Sequence, residues 1–219
     1  EVNADLFSEN INLDEIIGAK NYSNSKNKLQ FSDNYNFNIN LNVNNINFRN
    51  FNAKNLKGNI KFMNPIFRAD NLSMKSINGD LNGSLLIDNS KPGIYKINCE
   101  VLTQKVDARQ LFEVFENFGQ KSLTYKNING NLDSKIQFSA NFDTYLQIDK
   151  KTVWAILDLK IDNGKLINYM PIMKLSKFIN EDDLKEIKFS SLQNQILIKN
   201  ELISIPNMEI KSNALNLNI

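Results

Sequence analysis

Asn34-Tyr-Asn-Phe-Asn-Ile-Asn-Leu-Asn-Val-Asn44 decides the fold. Every even position is asparagine, and every odd one is aromatic or aliphatic. Successive side chains of a strand point to opposite faces, so a strict period of two describes a strand with one apolar and one wet face. Asparagine has poor strand propensity, so burial of the odd-numbered face must outweigh local preference. The chain carries 38 asparagines among 219 residues, and the same reading places them at solvent positions.

Working outward, comparable patterns recur at Ile46–Phe51, Gly58–Phe62, Phe67–Met74, Gly83–Asp88, Tyr95–Val101, Asp133–Phe142, Val153–Ile161, Ile187–Lys199, Leu202–Ser204 and Met208–Lys211. Short turn signals lie between them: Asn55-Leu-Lys-Gly58, Ile77-Asn-Gly-Asp80, Ser90-Lys-Pro-Gly93, Ile128-Asn-Gly-Asn131 and Asp162-Asn-Gly-Lys165. Asn-Gly pairs mark hairpins because tight hairpin turns need positive φ. Closely spaced strands with little between them predict a mainly β chain, an extended curved antiparallel β-sheet in a groove-like meander.

About three short amphipathic helices interrupt it. Asn12-Leu-Asp-Glu15 opens one, with Asn12 as N-cap and Gly18 as terminator. Asp107 opens a second, whose Ala108, Leu111, Phe112, Phe115 and Phe118 follow helical spacing up to Gly119. The third is expected within Leu166–Phe178, with Pro171 near its start and Ile172, Leu175, Phe178 and Ile179 on one face. The chain reads as one elongated unit over 1–219, with a sub-boundary near 120–130. Because the alternation is already running at Glu1-Val-Asn-Ala and still running at Leu215-Asn-Leu-Asn-Ile219, we expect a piece of a longer protein.

Composition narrows the chemistry. Hydrophobic residues are 42% and charged residues 23%, as in ordinary folded domains. A net charge of +2 gives no electrostatic case for nucleic acid. Histidine is absent, which removes the usual general base and the commonest zinc ligand. Cys99 is the only cysteine, so no internal disulfide or Cys-x-x-Cys motif exists, and it reads as a small strand hydrophobe. Glu181-Asp-Asp183 clusters three carboxylates but reads as a loop and helix cap, lacking the alternating ligands and central glycine of a calcium loop. Neither a phosphate-binding glycine loop nor a G-x-S-x-G elbow occurs. Trp154 reads as a core or groove anchor. No metal or cofactor is expected.

A helix is about 10 Å across and strands lie about 4.8 Å apart, so one helix shields roughly two strands. Three short helices then shield about half of a dozen strands, and the remaining apolar face must meet a second sheet or a ligand.

The last third of the chain resembles the C-terminal region of the AsmA-like family of bacterial envelope proteins. The residues that carry the resemblance are Ile128-Asn-Gly-Asn-Leu-Asp133, Asp158-Leu-Lys-Ile-Asp-Asn-Gly-Lys-Leu-Ile167, Met170-Pro-Ile-Met-Lys-Leu-Ser176, Leu184-Lys-Glu-Ile-Lys-Phe189 and Ile203-Ser-Ile-Pro-Asn-Met-Glu-Ile-Lys-Ser212. The Asn-rich strands of the first half depart from the Gly- and Asp-rich versions of that family. The resemblance implies a curved sheet with an apolar groove that moves phospholipid or another acyl-chain lipid. It also implies a periplasmic location in a Gram-negative bacterium, as part of a protein anchored in the inner membrane through segments outside this chain.

A groove of that kind needs no nucleophile, and the chain is expected to be non-enzymatic. Its candidate lining is Phe37, Ile39, Leu41, Val43, Ile60, Phe62, Leu85, Ile87, Ile136, Phe138, Leu157, Leu159, Ile161, Ile196, Ile198, Ile203, Ile205, Met208 and Ile210. The alternative is a β-rich scaffold that pairs with other envelope proteins through its sheet edges.

Overall fold

Alternation of apolar and polar residues is realised in ten strands of one open sheet. The computed structural model describes residues 2–16, 36–206, 209–212 and 216–218. The strands are β1 (Val2–Asn12), β2 (Asn36–Phe48), β3 (Phe51–Met63), β4 (Ile66–Ser76), β5 (Gly79–Lys91), β6 (Ile94–Asp107), β7 (Ile128–Phe142), β8 (Ile148–Ile167), β9 (Glu186–Lys199) and β10 (Leu202–Ser204). They lie side by side in chain order, in a curved meander that does not close into a barrel. A separate pair joins β11 (Glu209–Lys211) to β12 (Asn216–Asn218).

The sheet is antiparallel from β2 onward, but β1 pairs with β2 in parallel. Between those two strands the chain passes through α1 (Leu13–Ile16) and residues 17–35, among them the expected terminator Gly18, outside the described residues. The sheet is continuous across 120–130.

Among the described residues the short helices are α1, α2 (Ala108–Val114), α3 (Met170–Met173) and α4 (Glu181–Lys185), with short 3-10 turns at Glu116–Gly119 and Lys174–Lys177. Each of three caps satisfies a backbone amide that has no partner within its helix. The Asp14, Gln110 and Asp182 amides donate to Asn12, Asp107 and Asn180, each at 3.0 Å. The helix expected within Leu166–Phe178 is α3, followed by the 3-10 turn at Lys174–Lys177. Leu166 and Ile167 finish β8, Pro171 is the second residue of α3, and Phe178 is 85% exposed rather than part of the packed face. Glu181-Asp-Asp183 forms the first turn of α4 instead of a loop.

Three of the five expected turns lie inside strands. Ile77-Asn78 and Pro92-Gly93 do turn hairpins, but Asn55–Gly58, Ile128–Asn131 and Asp162–Lys165 sit within β3, β7 and β8 at shifts of register. A residue with positive φ serves a β-bulge as well as a hairpin, so the Asn and Gly signals do not tell the two apart. Ile46–Phe51 is likewise split, with β2 ending at Phe48 and β3 starting at Phe51.

β1, β2, β4, β6 and β8 all end at one end of the sheet, and every helix follows from there. The helices therefore cover one end of the whole apolar face, not half of its strands. Ile172 of α3 and Leu184 of α4 pack on Leu166, Ile187 and Phe189, and Ala108 of α2 packs on Ile77, Val106, Ile128 and Leu132. Among the described residues the opposite end is made of the connections at 64–65, 92–93, 143–147 and 200–201, together with the starts of β1 and β2.

Candidate functional site

Residues directly opposite in register share a face, so pairing defines rows that cross the strands. One row crosses the entire sheet: Ala4, Ile39, Ile60, Ala69, Leu85, Cys99, Phe138, Ala155, Ile198 and Ile203, one from each strand. Nine gaps of about 4.8 Å make this row roughly 43 Å long. No charged or amide side chain interrupts it.

Two apolar rows flank it. Towards the hairpin end are Phe37, Phe62, Phe67, Ile87, Ile97 and Ala140. The Phe37 and Phe62 rings sit 5.6 Å apart. Towards the helical end, Leu6 and Leu41 continue to Gly58, over which Leu72 folds, and then to Gly83, Val101, Ile136, Leu157 and Ile196.

Exposure separates this zone from the helical end. Val43 and Ile187 are 0% and 1% exposed. In the long row only the small Ala69 and Ala155 are buried, while Ile39, Ile60, Leu85, Cys99, Phe138 and Ile198 are half-buried and Ile203 is exposed. Among the described residues, the clusters under the helices include no member of the three rows. Burial pushes the half-buried Cys99 thiol above its ordinary pKa, which suits a small hydrophobe in an apolar row.

The expected lining residues divide accordingly. Phe37, Ile39, Leu41, Ile60, Phe62, Leu85, Ile87, Ile136, Phe138, Leu157, Ile196, Ile198 and Ile203 share the three rows, with Phe62 buried. Val43 is enclosed next to them, and Leu159 and Ile161 pack beneath the α2 layer. Ile205 follows β10 and is exposed. Ile210 lies in β11 with its side chain outside the description, and Met208 lies outside the described residues. Trp154 is on the other face, opposite Ser139 and Lys199, so it anchors neither the groove nor the core beneath the helices.

That other face is polar. Two shallow depressions of about 300 and about 600 Å³ occur on it, one beside Arg68, Glu100 and Trp154, the other beside Lys135, Asp158 and Lys160. Its charges neutralise one another, as in Lys135–Glu100 at 3.3 Å and Lys160–Asp162 at 2.6 Å. Across β1, β2 and β3 it carries an amide ladder. Asn38 donates to Asn3 at 3.2 Å, Asn40 to Asp5 at 2.9 Å, and Asn59 to Asn38 at 2.8 Å and to Asn40 at 3.0 Å.

Sequence reading missed how the apolar face is kept in phase. In six strands the alternation slips by one residue at a paired polar step. The steps are Val43-Asn-Asn-Ile46, Ala53-Lys-Asn-Leu56, Ala69-Asp-Asn-Leu72, Thr103-Gln-Lys-Val106, Ile161-Asp-Asn-Gly164 and Phe189-Ser-Ser-Leu192. Asn55, Asn71, Lys105 and Asn163 take positive φ there. The signal was present in the sequence as a doubled polar residue between two inward-facing ones.

No protein-family model matches this chain, and neither a curated protein nor a solved structure does.

Proposed function

We propose that this chain holds acyl chains of phospholipid, or of a similar lipid, on the uncovered apolar rows, and that it is a non-enzymatic carrier or conduit. The observation that carries this reading is the long row from Ala4 to Ile203, apolar in all ten strands and covered by no helix among the described residues, with every member but Ala69 and Ala155 partly or fully exposed. Each methylene moved from water onto such a surface contributes about 0.8 kcal/mol, while a headgroup stays in solvent. A lining without polar clamps lets chains slide. The AsmA-like resemblance of the last third supports the same reading and, with it, a periplasmic location within a protein anchored in the inner membrane that contributes to lipid transport between membranes or to outer-membrane assembly. Among the described residues no helix is long and apolar enough to cross a membrane.

Organic-solvent extraction of the purified protein followed by mass spectrometry tests this. Near-stoichiometric phospholipid is expected. An environment-sensitive dye on Cys99, in the middle of the row, should shift its emission to the blue when lipid is added back. A lipid-free protein whose Cys99 probe ignores added lipid refutes the reading.

One observation favours edge pairing as a second reading. β1 has eleven residues and, among the described strands, a neighbour on one side only. Such an edge accepts a partner strand through its backbone. Cross-linking through β1 to a protein partner, with no lipid bound, would select that alternative.

A further inference from the structure

We propose that the hairpin end of the sheet docks on the surface of an anionic phospholipid bilayer, with the apolar hairpin tips dipping into the interface. This rests on the lipid-holding reading for its purpose, since the uncovered rows open towards that end, but the docking itself stands on separate observations.

The first is apolar exposure where turns are ordinarily polar. Met63, Ile94, Leu146, Ile148 and Leu202 lie beside or within the four connections of this end. All are exposed, Leu202 at 74% and Met63 at 51%. They are spread along the sheet from β3 to β10, so a flat apolar medium can receive them together while a compact ligand cannot.

The second is charge. Within four residues of these connections are seven cations, Lys61, Arg68, Lys91, Lys96, Lys150, Lys151 and Lys199. Four carboxylates oppose them: Asp88, Asp143, Asp149 and Glu201.

The third is how those charges are used. Three carboxylates are turned onto their own backbone. Asp88 accepts from the Ser90 amide at 2.8 Å, Asp143 from the Tyr145 and Gln147 amides at 2.8 and 2.9 Å, and Asp149 from the Lys151 amide at 3.1 Å. None of the six lysines comes within ion-pair distance of a carboxylate among the described residues, although Lys96 and Lys91 act on Asp88 from farther away, whereas many lysines elsewhere in the sheet and helices are paired. Unpaired lysines between exposed apolar residues match a layer of anionic headgroups over hydrocarbon.

Co-sedimentation of the whole chain with phosphatidylcholine vesicles, with and without phosphatidylglycerol, tests the proposal. Binding should require phosphatidylglycerol and weaken steeply with salt. The combined variant Lys91→Gln, Lys96→Gln, Lys150→Gln, Lys151→Gln should lose binding by on the order of 600-fold, since each of the four lysines contributes roughly fivefold near an anionic surface. A matching variant at the helical end, with Lys121, Lys126, Lys174 and Lys177 changed to Gln, should bind as the parent does. Met63→Ser with Leu146→Ser, both at exposed sites, should weaken binding and leave the melting temperature unchanged. Equal loss from the helical-end variant, or salt-insensitive binding to neutral vesicles, overturns the proposal. Lipid extracted from the parent protein separates the two ideas: bound phospholipid in a parent that does not dock on phosphatidylglycerol vesicles sinks the docking alone, and a parent that docks without bound phospholipid sinks the lipid-holding reading alone.

Discussion

Replacing Ile187 and Ile198 separately by alanine tests whether the apolar face is closed at one end and open at the other. Both lie on β9, point to the same face and lose the same three carbons. Ile187 is 1% exposed, pairs with Leu166 and sits under α4 against Leu184 and Phe189. Three methylenes at about 0.8 kcal/mol give about 2.4 kcal/mol, and the cavity left beneath the helices raises this to about 3–4 kcal/mol. Ile198 is half-buried, between Ala155 and the exposed Ile203. Roughly half of its transfer energy is absent and solvent fills the space, so about 1 kcal/mol is expected. For a chain of this size 1 kcal/mol moves the melting temperature by about 2–4 °C, which separates the variants by several degrees. Urea titration of lipid-free protein should show the same order with an unchanged m-value. A loss at Ile198 equal to that at Ile187 would mean that a further layer closes the hairpin end, and the groove argument would fail.

Three other outcomes follow from particular contacts. The Phe189 ring lies where a side chain on Gly164 would begin, so Gly164→Ala should cost about 1–3 kcal/mol in thermal melts and be partly relieved by Phe189→Leu. The buried Thr103 and Ser134 hydroxyls share a 2.8 Å hydrogen bond, so Thr103→Val alone should cost about 1–3 kcal/mol, while adding Ser134→Ala should recover most of it in a double-mutant cycle. Hydrogen bonds from Ser90, Lys160, Lys185 and Lys165 hold Asp88, Asp162, Asp182 and Glu186 respectively below the ordinary carboxylate range. Depressed values stabilise above the unfolded pKa and are lost as pH falls through the folded one, so the melting temperature should drop from about pH 4 downward, and a flat profile there would refute it.

Much of the fold was legible because alternation is a direct image of strand geometry. Asn36 to Val43 could be assigned face by face from the sequence, and Phe37, Ile39 and Leu41 do fall in three adjacent rows. The caps at Asn12 and Asp107 were equally plain, since a side-chain acceptor ahead of an apolar helix has few other uses. What was not legible depends on long-range order. Nothing local distinguishes Asn163-Gly164 as a bulge from the same pair as a hairpin. The parallel pairing of β1, and the gathering of all helices at one end, are set by strand direction. Trp154 misled because an indole suggests a core, yet Ala155 beside it holds the inward position.

The asparagines then have a role beyond filling wet positions. A row that is apolar in ten consecutive strands contains little that fixes its own register, since isoleucine, leucine and phenylalanine pack acceptably against many neighbours. A slip of one residue would carry asparagine into the row and isoleucine into water. Directional bonds on the opposite face resist that slip. Asn59 bridges Asn38 and Asn40, and these reach Asn3 and Asp5, so the amides tie β1, β2 and β3 together at one setting. Register is thus held largely by the polar face, and the three apolar rows are left without polar clamps. A surface meant to hold many similar chains, and to let them move, needs that division of labour between the two sides of one sheet.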